Sequence, residues 1–390
     1  MNCAVPLASE PRQTGCARTS LIASLGSNRR YGDAMISSAS VSQSRQTKTC
    51  FVIAEAGVNH NGRLELALQL VDSAADAGAD AVKFQTFTAA KVVRGGTRTA
   101  DYQEKNSGQT DQQSLLRSLE LSVDMHRTIF DHCSTRGIEF MSTPFDAEAA
   151  DMLHGLGMRR LKIPSGELTN HPLLEHLAKK NLPLIMSTGM ASIEEIDEAV
   201  GVIRKARTTA GLHSPLDSVL TLLHCTSNYP TAPENVNLRA MAALQARFGL
   251  PIGYSDHTAG ILVPLAAVAM GACVIEKHFT MDRGLPGPDH QASLEPAELS
   301  QMIAQIRLVE LSLGDGRKRP CAGELPVRDL VRRSIVAARD VRAGEVVSQD
   351  DLVLLRPGTG LAPRELPNVV GRRARTDIPA NAILTWEHLA

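Results

Sequence analysis

Two histidines, His257 and His278, each come shortly after a predicted strand. The pattern of apolar and polar residues predicts a strand that ends at Tyr254, a helix over Ile261–Met270 and a strand over Cys273–Glu276. Ligands bind at the carboxyl ends of the strands in open α/β sheets and β/α barrels, so the two imidazoles are expected to face one site. Histidines so placed predict a shared divalent metal ion, and the alternative is that each caps its own strand with a hydrogen bond.

Polar side chains follow the other predicted strands as well, and in a parallel arrangement they converge on the same rim. They are Glu55, Lys83, Gln85, Ser142, Lys162, Ser165, Glu167, Ser187, Thr188, Asn228, Tyr229 and Ser255. This set suits a ligand that carries phosphate and carboxylate groups, because ammonium groups and short donors satisfy anionic oxygens. A Schiff-base lysine is a competing use of the same residues. A metal on the histidines makes that use less necessary, since a metal polarises an aldehyde by itself.

Glu55 ends the first predicted strand, and two interpretations of it are open. Beside a metal centre, its carboxyl group would serve as a general acid or base. Alternatively, it forms a buried ion pair with Lys83 and has no chemical role.

The order of the predicted elements favours a (β/α)8 TIM barrel. The predicted strands are Phe51–Glu55, Asp80–Thr86, Ile138–Ser142, Arg160–Ile163, Leu184–Met186, Ser218–Leu223 and the two strands that precede the histidines. A helix follows each strand, the last over Pro296–Leu313, and eight strands close such a barrel. A doubly wound open sheet is the alternative, but no G-x-G-x-x-G motif follows the first strand. The polar excursion that ends near Asp111 is long for a connection and is therefore a candidate lid.

We predict four regions along the chain: a disordered N-terminal extension over residues 1–48, the barrel over residues 49–316, a linker over residues 317–330 and a small β-rich domain over residues 331–390. The extension is rich in Ser, Thr and Arg and has no core-forming pattern, and Met35 is an alternative start.

The small domain contains an internal repeat, because Asp340–Leu352 matches Asp377–Leu389 at a constant offset. Gly344 corresponds to Asn381 in the two copies. These residue types accept positive φ most readily, so the same tight turn is expected twice.

Charge and cysteine content restrict the class of protein. The 390 residues include 41 basic and 42 acidic side chains, which gives no reason to expect nucleic acid or a membrane surface as a partner. Small-molecule substrates are expected instead. Seven cysteines without a C-x-x-C pair are typical of reduced thiols in the cytoplasm.

A series of motifs from Cys50 to Ala390 resembles the sialic acid synthases. They are A-E-A-G-V-N-H-N-G, V-K-F-Q-T-F, S-T-P-F-D, K-I-P-S-G-E, S-T-G-M, Y-P-T-A-P-E-N-V-N-L, G-Y-S-D-H-T, E-K-H-F-T and G-P-D-H-Q-A-S-L-E-P. The tail, with S-I-V-A-A-R-D-V-R-A-G-E and R-P-G-T-G, resembles the antifreeze-like, or SAF, domain of that family.

The resemblance implies condensation of phosphoenolpyruvate with an N-acetylated aminosugar, N-acetylmannosamine in the best-known members, to a nine-carbon 2-keto acid and phosphate. His257 and His278 match the family's ligands for manganese, with Mg2+ or Co2+ as other candidates, and Glu55 matches the acidic residue near the attacking water. Positions around phosphoenolpyruvate are matched by Lys83, Lys162, Ser165, Ser187, Asn228 and Ser255. Positions that face the sugar are matched by Gln85, Tyr229, Asp289 and Arg356. The arginine is expected to reach the partner's barrel in a domain-swapped homodimer.

Two other functions compete with N-acetylneuraminate synthesis. N,N'-diacetyllegionaminate synthases share most of these motifs and differ chiefly in accepting a diacetylated, deoxygenated sugar, and G-P-D-H-Q-A-S-L-E-P does not separate the two. The same motif disfavours a pseudaminic acid synthase. A sugar-phosphate sensor without catalysis is the alternative from another class, but a sensor does not need a general acid or base such as Glu55.

Overall fold

Short parallel strands form the centre of the computed structural model, which describes residues 49–390. The predictions for residues 1–48 lie outside this range. The strands are β1 (Phe51–Gly57), β2 (Ala81–Thr86), β3 (Glu139–Pro144), β4 (Leu161–Ile163), β5 (Leu184–Ser187), β6 (Leu220–Cys225), β7 (Ile252–Asp256) and β8 (Val274–His278). They pair in the order β3-β2-β1-β8-β7-β6-β5-β4, and the two end strands lie beside each other. This ring confirms the predicted barrel, and the open-sheet alternative is wrong.

Helices follow every strand of the ring. They are α1 (Leu64–Asp76), α2 (Ala89–Val92), α3 (Asp101–Ser107), α4 (Gln112–Arg117), α5 (Val123–Arg136), α6 (Ala147–Leu156), α7 (His171–Ala178), α8 (Ile193–Thr209), α9 (Ala240–Phe248), α10 (Leu262–Ala269) and α11 (Pro296–Leu313). Local sequence explains their ends, as α8 shows. Ser192 and Glu195 form a capping box at its start, which satisfies backbone N–H groups that have no partner within the helix.

Two apolar layers position the strand ends. The larger layer lies between strands and helices. The smaller one lies inside the barrel and takes one side chain from each of six strands: Ile53, Ala81, Met141, Ile185, Leu223 and Val274. Because these side chains fill the interior, the polar residues nearer the carboxyl ends of the strands surround a site above an apolar floor. Burying each large aliphatic side chain contributes about 1.5–3 kcal/mol.

The tail contains one antiparallel pair of strands, β9 (Ser334–Ala337) and β10 (Leu352–Leu355), with the short helix α13 (Leu366–Val369). Its repeat is visible as reciprocal hydrogen bonds. Ala343 N donates to Asp377 Oδ1 and Ala380 N donates to Asp340 Oδ1, both at 2.7 Å.

The turns of the two repeat copies also agree with the sequence prediction. Gly344 has φ 81° and Asn381 has φ 66°. The expectation of two equivalent tight turns with positive φ is therefore confirmed.

One further helix, α12 (Glu324–Val331), lies mostly in the region predicted as a linker. The charged and glycine-rich residues before this helix had suggested an irregular chain. Pro326 is compatible with the helix because it lies in the first turn, where a missing N–H is tolerated. None of the helices within residues 49–390 has both the length and the apolar content needed to cross a membrane.

Candidate active site

His257 and His278 lie at the carboxyl ends of adjacent parallel strands, as predicted. Strands β7 and β8 pair with Asp256 opposite Lys277. His257 and His278 are the next residues after this pair, so both lie at the same rim of the barrel. The two imidazole ring centroids are 5.5 Å apart. The Tyr229 ring lies 4.1 Å from His257 and 5.8 Å from His278, so one aromatic side chain covers both histidines.

Nitrogen atoms of both histidines are available as metal ligands. His257 Nδ1 lies 2.8 Å from the carbonyl oxygen of Thr226, and donation from Nδ1 leaves Nε2 as the acceptor. His278 Nδ1 is buried without a hydrogen bond within residues 49–390, and burial holds the pKa of His278 well below its usual range. A neutral imidazole is the form that binds a metal. The contact of His257 is with the residue after β6 and not with its own strand β7, so it orients the ring but is not the strand cap of the alternative interpretation.

The donor set fits a labile metal site. Within residues 49–390, no group of three or more His, Cys, Asp or Glu side chains is arranged to hold a metal ion. Two imidazoles would therefore hold the ion from the protein side, and water and substrate would complete its coordination. The buried His278 Nδ1 supports this fit, because a buried polar atom without a partner is costly.

Lys83 and Lys162 lie in the same buried region and share a carboxylate. Lys83 Nζ is 2.7 Å from Glu55 Oε2 and 3.5 Å from Glu276 Oε2, and it donates to Thr143 Oγ1 at 3.0 Å. Lys162 Nζ donates to Ser187 Oγ at 2.8 Å and lies 3.6 Å from Glu276 Oε1.

Glu276 is a site residue that the sequence interpretation missed. Its carboxylate bridges the two lysines and accepts a hydrogen bond from Ser255 Oγ at 2.9 Å. Burial opposes its charge, but the ammonium groups of Lys162 and Lys83 outweigh burial and lower the pKa of Glu276. The signal was available, because alternate residues of a strand face the same side and His278 is two residues further along β8.

Glu55 forms the ion pair that one of its two interpretations predicts, and it retains the potential for proton transfer. Burial, opposed by Lys83 and reinforced by Glu276, raises the pKa of Glu55 to about 7. Gln85 Nε2 donates to Glu55 Oε1 at 3.4 Å. A carboxyl group with a pKa near neutrality is suited to general acid–base chemistry.

A main cavity of about 500 Å3 unites most of the predicted site residues. From the prediction, it is lined by Glu55, Lys83, Gln85, Lys162, Ser165, Ser187, Tyr229, Ser255, His257 and His278. Residues not predicted for the site also line it, among them Gln103, Gln112, Thr143, Met190, Cys225, Ser227 and Glu276. Gln103 and Gln112 belong to the polar excursion after β2, so the predicted lid contributes to the cavity wall.

A second, smaller cavity of about 140 Å3 adjoins the first, and we call it the annexe. Its lining residues are Val58, Gln85, Gln103, Leu115, Leu116, Leu119, Tyr229, His278, Pro288 and Asp289. Asp289, predicted to face the sugar, lies here, and burial raises the pKa of its carboxyl group to about 6. Its Oδ2 is 3.9 Å from His278 Nδ1.

Five predicted site residues are not among the lining of either cavity: Ser142, Glu167, Thr188, Asn228 and Arg356. Asn228 lies between the lining residues Ser227 and Tyr229, and its carbonyl oxygen accepts a hydrogen bond from Thr231 Oγ1 at 2.7 Å. Arg356 is exposed in the tail, next to β10. The contact of Arg356 with a partner's barrel stays a prediction.

The loop after β5 depends on a glycine. A Cβ atom at Gly189 would lie 2.4 Å from Ser227 Oγ and 2.8 Å from Ser165 Oγ. Gly189 N donates to Ser165 Oγ at 3.0 Å. This contact holds the Ser165 hydroxyl on the cavity wall, and a side chain at position 189 would displace the Ser165 and Ser227 hydroxyls.

Comparison with known proteins identifies the family. The model of the NeuB family matches residues 70–318, and that of the SAF domain matches residues 332–390. N,N'-diacetyllegionaminic acid synthase of Legionella pneumophila subsp. pneumophila is 50% identical over 94% of this chain and 99% of its own length. The protein of that name from Campylobacter jejuni subsp. jejuni is 45% identical over 84% of this chain and 96% of its own length.

A solved structure leads to the same family. The crystal structure of N-acetylneuraminic acid synthetase from Leptospira borgpetersenii serovar Hardjo-bovis, in complex with citrate, superimposes with a TM-score of 0.62 at 38% identity. The match covers 72% of this chain and 90% of that one. The chain therefore belongs to the NeuB family, and it is an enzyme of the sialic acid synthase type, which forms a carbon–carbon bond from phosphoenolpyruvate.

Proposed function

We propose that this enzyme is an N,N'-diacetyllegionaminate synthase. It condenses phosphoenolpyruvate with a diacetylated, deoxygenated aminosugar and releases phosphate and a nine-carbon 2-keto acid. The two most similar relatives described above support this substrate, since both are named for diacetyllegionaminic acid. They favour the alternative sugar over N-acetylmannosamine, the substrate first expected from the motifs.

One observation carries the chemical part of the proposal: two buried lysines and two buried histidines face the same cavity. The lysines bind the phosphate and carboxylate of phosphoenolpyruvate, because their charges are already desolvated and lie close to hydroxyl donors. Glu276 holds the two ammonium groups near each other, since without a carboxylate between them they would repel. Ser255 and Ser187 complete the polar wall on this side.

The histidines define where the sugar reacts. A divalent metal, Mn2+ by our proposal, held by His257 and His278 would supply Lewis acidity toward the open-chain aldehyde. The methylene carbon of phosphoenolpyruvate attacks the aldehyde carbon, and water then adds to the resulting cationic carbon before phosphate leaves. Tyr229 covers both imidazoles and limits the access of bulk water to this region.

Glu55 is the proposed proton acceptor for the attacking water. Its carboxyl group lies on the same cavity wall as Lys83 and His278, and a pKa of about 7 lets it take up and return a proton near neutral pH. The 2.7 Å contact with Lys83 keeps the carboxylate in place until phosphoenolpyruvate competes for the ammonium group.

The second proposal concerns assembly: Arg356 acts on the sugar bound in a partner's barrel, within a domain-swapped homodimer. Its exposure in the tail and its absence from the cavities of its own chain within residues 49–390 support this arrangement. A guanidinium group keeps its charge and donates hydrogen bonds, which suits an N-acetyl oxygen.

Phosphate release from phosphoenolpyruvate tests the proposed function. Phosphate is expected only when an aminosugar is present, with a higher kcat/KM for the diacetylated, deoxygenated sugar than for N-acetylmannosamine. Lys162→Met is expected to abolish turnover, while the matched change in an exposed ion pair, Lys179→Met, leaves it unchanged. A preference for N-acetylmannosamine would identify an N-acetylneuraminate synthase. No release with any aminosugar would favour the non-catalytic sensor.

A further inference from the structure

The annexe differs from the main cavity in its chemistry. Val58, Leu115, Leu116, Leu119 and Pro288 form an apolar wall. Val58, Leu115 and Leu119 belong to a small hydrophobic cluster that also includes Phe87 and is separate from the main core. Helix α4 and the chain just after it supply the leucines, so the segment that follows the polar excursion builds much of this wall.

The annexe extends from the histidine side of the main cavity. Gln85, Gln103, Tyr229 and His278 line both spaces, whereas the ammonium groups assigned to phosphoenolpyruvate line the main cavity only. A sugar whose aldehyde carbon reacts at the histidines has phosphoenolpyruvate on one side. Its distal carbons are then directed away from the lysines, into the annexe.

An apolar wall discriminates between distal groups on a sugar. A hydroxyl group buried against leucine and valine loses its hydrogen bonds to water, which costs roughly 1–3 kcal/mol in proteins. A methyl group in the same place gains about 0.8 kcal/mol from burial. The annexe therefore favours a deoxygenated carbon over a hydroxymethyl group.

Three polar side chains of the annexe offer hydrogen-bond partners for one amide group of the sugar. Gln85, Gln103 and Asp289 line the annexe together with the apolar residues. The carboxylate of Asp289 and the amide oxygens accept hydrogen bonds from an N–H group, and the side-chain NH2 groups donate to a carbonyl oxygen. An acetamido group presents one N–H, one carbonyl oxygen and an apolar methyl group, and it matches this mixed lining.

We propose that the annexe binds the end of the sugar distal to the aldehyde, and that its apolar wall makes Val58 and Leu116 specificity-determining residues for a deoxygenated, acetamido-bearing end. This inference rests on the proposed function for the position of the aldehyde and deepens it by locating the substrate selectivity.

Two sugars that differ by one oxygen give the sharpest test: N-acetylmannosamine and its 6-deoxy analogue. The unmodified enzyme is expected to show the higher kcat/KM for the deoxy sugar. Val58→Thr adds a hydroxyl group of nearly the same volume, and Leu116→Asn adds an amide. For each variant, the ratio of kcat/KM for the deoxy sugar to kcat/KM for N-acetylmannosamine is expected to fall on the order of 10-fold.

Val92→Thr is the matched control, because Val92 packs on the same hydrophobic cluster but is not among the lining of the annexe. Its ratio is expected to stay within about twofold of the unmodified enzyme. Thermal unfolding of all three variants separates selectivity from folding. Leu116 is only partly buried, so Leu116→Asn is expected to fold even where the change at the buried Val58 costs stability.

The outcomes separate this inference from the proposed function. A ratio unchanged in Val58→Thr and in folded Leu116→Asn, or changed equally in Val92→Thr, overturns the role of the annexe. The proposed function survives that result if the diacetylated, deoxygenated sugar is still turned over with phosphate release. If that sugar is not a substrate but the ratio of kcat/KM changes as expected in the variants, the proposed product is wrong and the annexe still determines the selectivity for the distal end of the sugar.

Discussion

Replacing Lys277 by methionine tests how the two histidines are held in position. Lys277 and Asp256 directly precede His278 and His257, and they form a completely buried ion pair at 2.5 Å on the opposite face of the strands. Lys277 Nζ also donates to the carbonyl oxygen of Thr258. The pair thereby ties the ends of β7 and β8 to each other, immediately behind the proposed metal site.

The expected cost follows from burial. The side chains of Lys277 and Asp256 are both 0% exposed, so solvent screening does not reduce the penalty. Lys277→Met leaves the Asp256 carboxylate buried without an opposite charge, with the Thr258 hydroxyl and N–H and the Tyr254 hydroxyl as its donors. Removing one partner of such a pair costs about 3–5 kcal/mol. Adding Asp256→Asn removes the unpaired charge, and the double variant is expected to recover part of that loss, roughly 1–3 kcal/mol.

Equilibrium unfolding in urea measures the free energy of unfolding of both single variants and the double variant. Calorimetric titration with Mn2+ then measures binding independently of turnover, and weaker binding is expected wherever the strand ends move. Arg247→Met is the control, since Arg247 pairs with Asp197 on the surface and its loss is expected to cost no more than about 1 kcal/mol.

Two results would refute this reasoning. A loss below about 1 kcal/mol in Lys277→Met would mean that the buried charge of Asp256 finds another partner. Unchanged Mn2+ affinity in a variant destabilised as expected would mean that the histidines are positioned by their own contacts, such as that of His257 with Thr226.

Three further predictions concern the metal, the assembly and pH. Chelation by EDTA is expected to abolish activity, and added Mn2+ is expected to restore it. His257→Ala and His278→Ala are each expected to remove both Mn2+ binding in calorimetry and phosphate release. Full turnover after exhaustive EDTA treatment would favour the Schiff-base mechanism. Co-expression of Glu55→Ala with Arg356→Ala subunits is expected to restore about a quarter of the activity of the unmodified enzyme. About half of randomly mixed dimers are heterodimers, and one of the two sites in each heterodimer is intact. Mixed dimers as inactive as their parents would place Arg356 in its own chain's site. Burial lowers the pKa of His60 from 6.5 to about 3, so the free energy of unfolding is expected to fall as pH falls from 6.5 toward 3, by up to about 1.4 kcal/mol per unit, and this slope is expected to be smaller in His60→Asn. Equal slopes in both proteins would show that His60 is already protonated or solvated in the folded state.

Local sequence patterns were sufficient for the barrel and for much of its rim. Strand and helix periods depend on neighbouring residues, so the alternation of elements was readable without tertiary contacts. The parallel barrel then directs all strand ends to one face, which is why Lys83, Lys162, His257 and His278 could be grouped from sequence. The repeat in the tail was readable for the same reason, because the tight turns at Gly344 and Asn381 are local.

Contacts between distant strands were decided only by the tertiary structure. Glu276 belongs to the site because the closure of the barrel brings it between Lys83 and Lys162, which are 193 and 114 residues away along the chain. Asn228 follows a strand, yet it does not reach the cavity lining, because the chain turns between Ser227 and Tyr229. Strand register and loop path fix such details, and neither is encoded in the period of a single segment.

The choice of sugar also depends on contacts that only the tertiary structure creates. Motifs identified the reaction but not the aminosugar, because they resemble sialic acid synthases and N,N'-diacetyllegionaminate synthases alike. The annexe arises where α4, the loop after β1 and the loop after β8 meet, and Leu116, Val58 and Pro288 come from these separate segments. Sequence by itself determined which chemistry the chain can perform, while the shape and polarity of the space beside His278, which exist only after the chain has closed, decide what fits there.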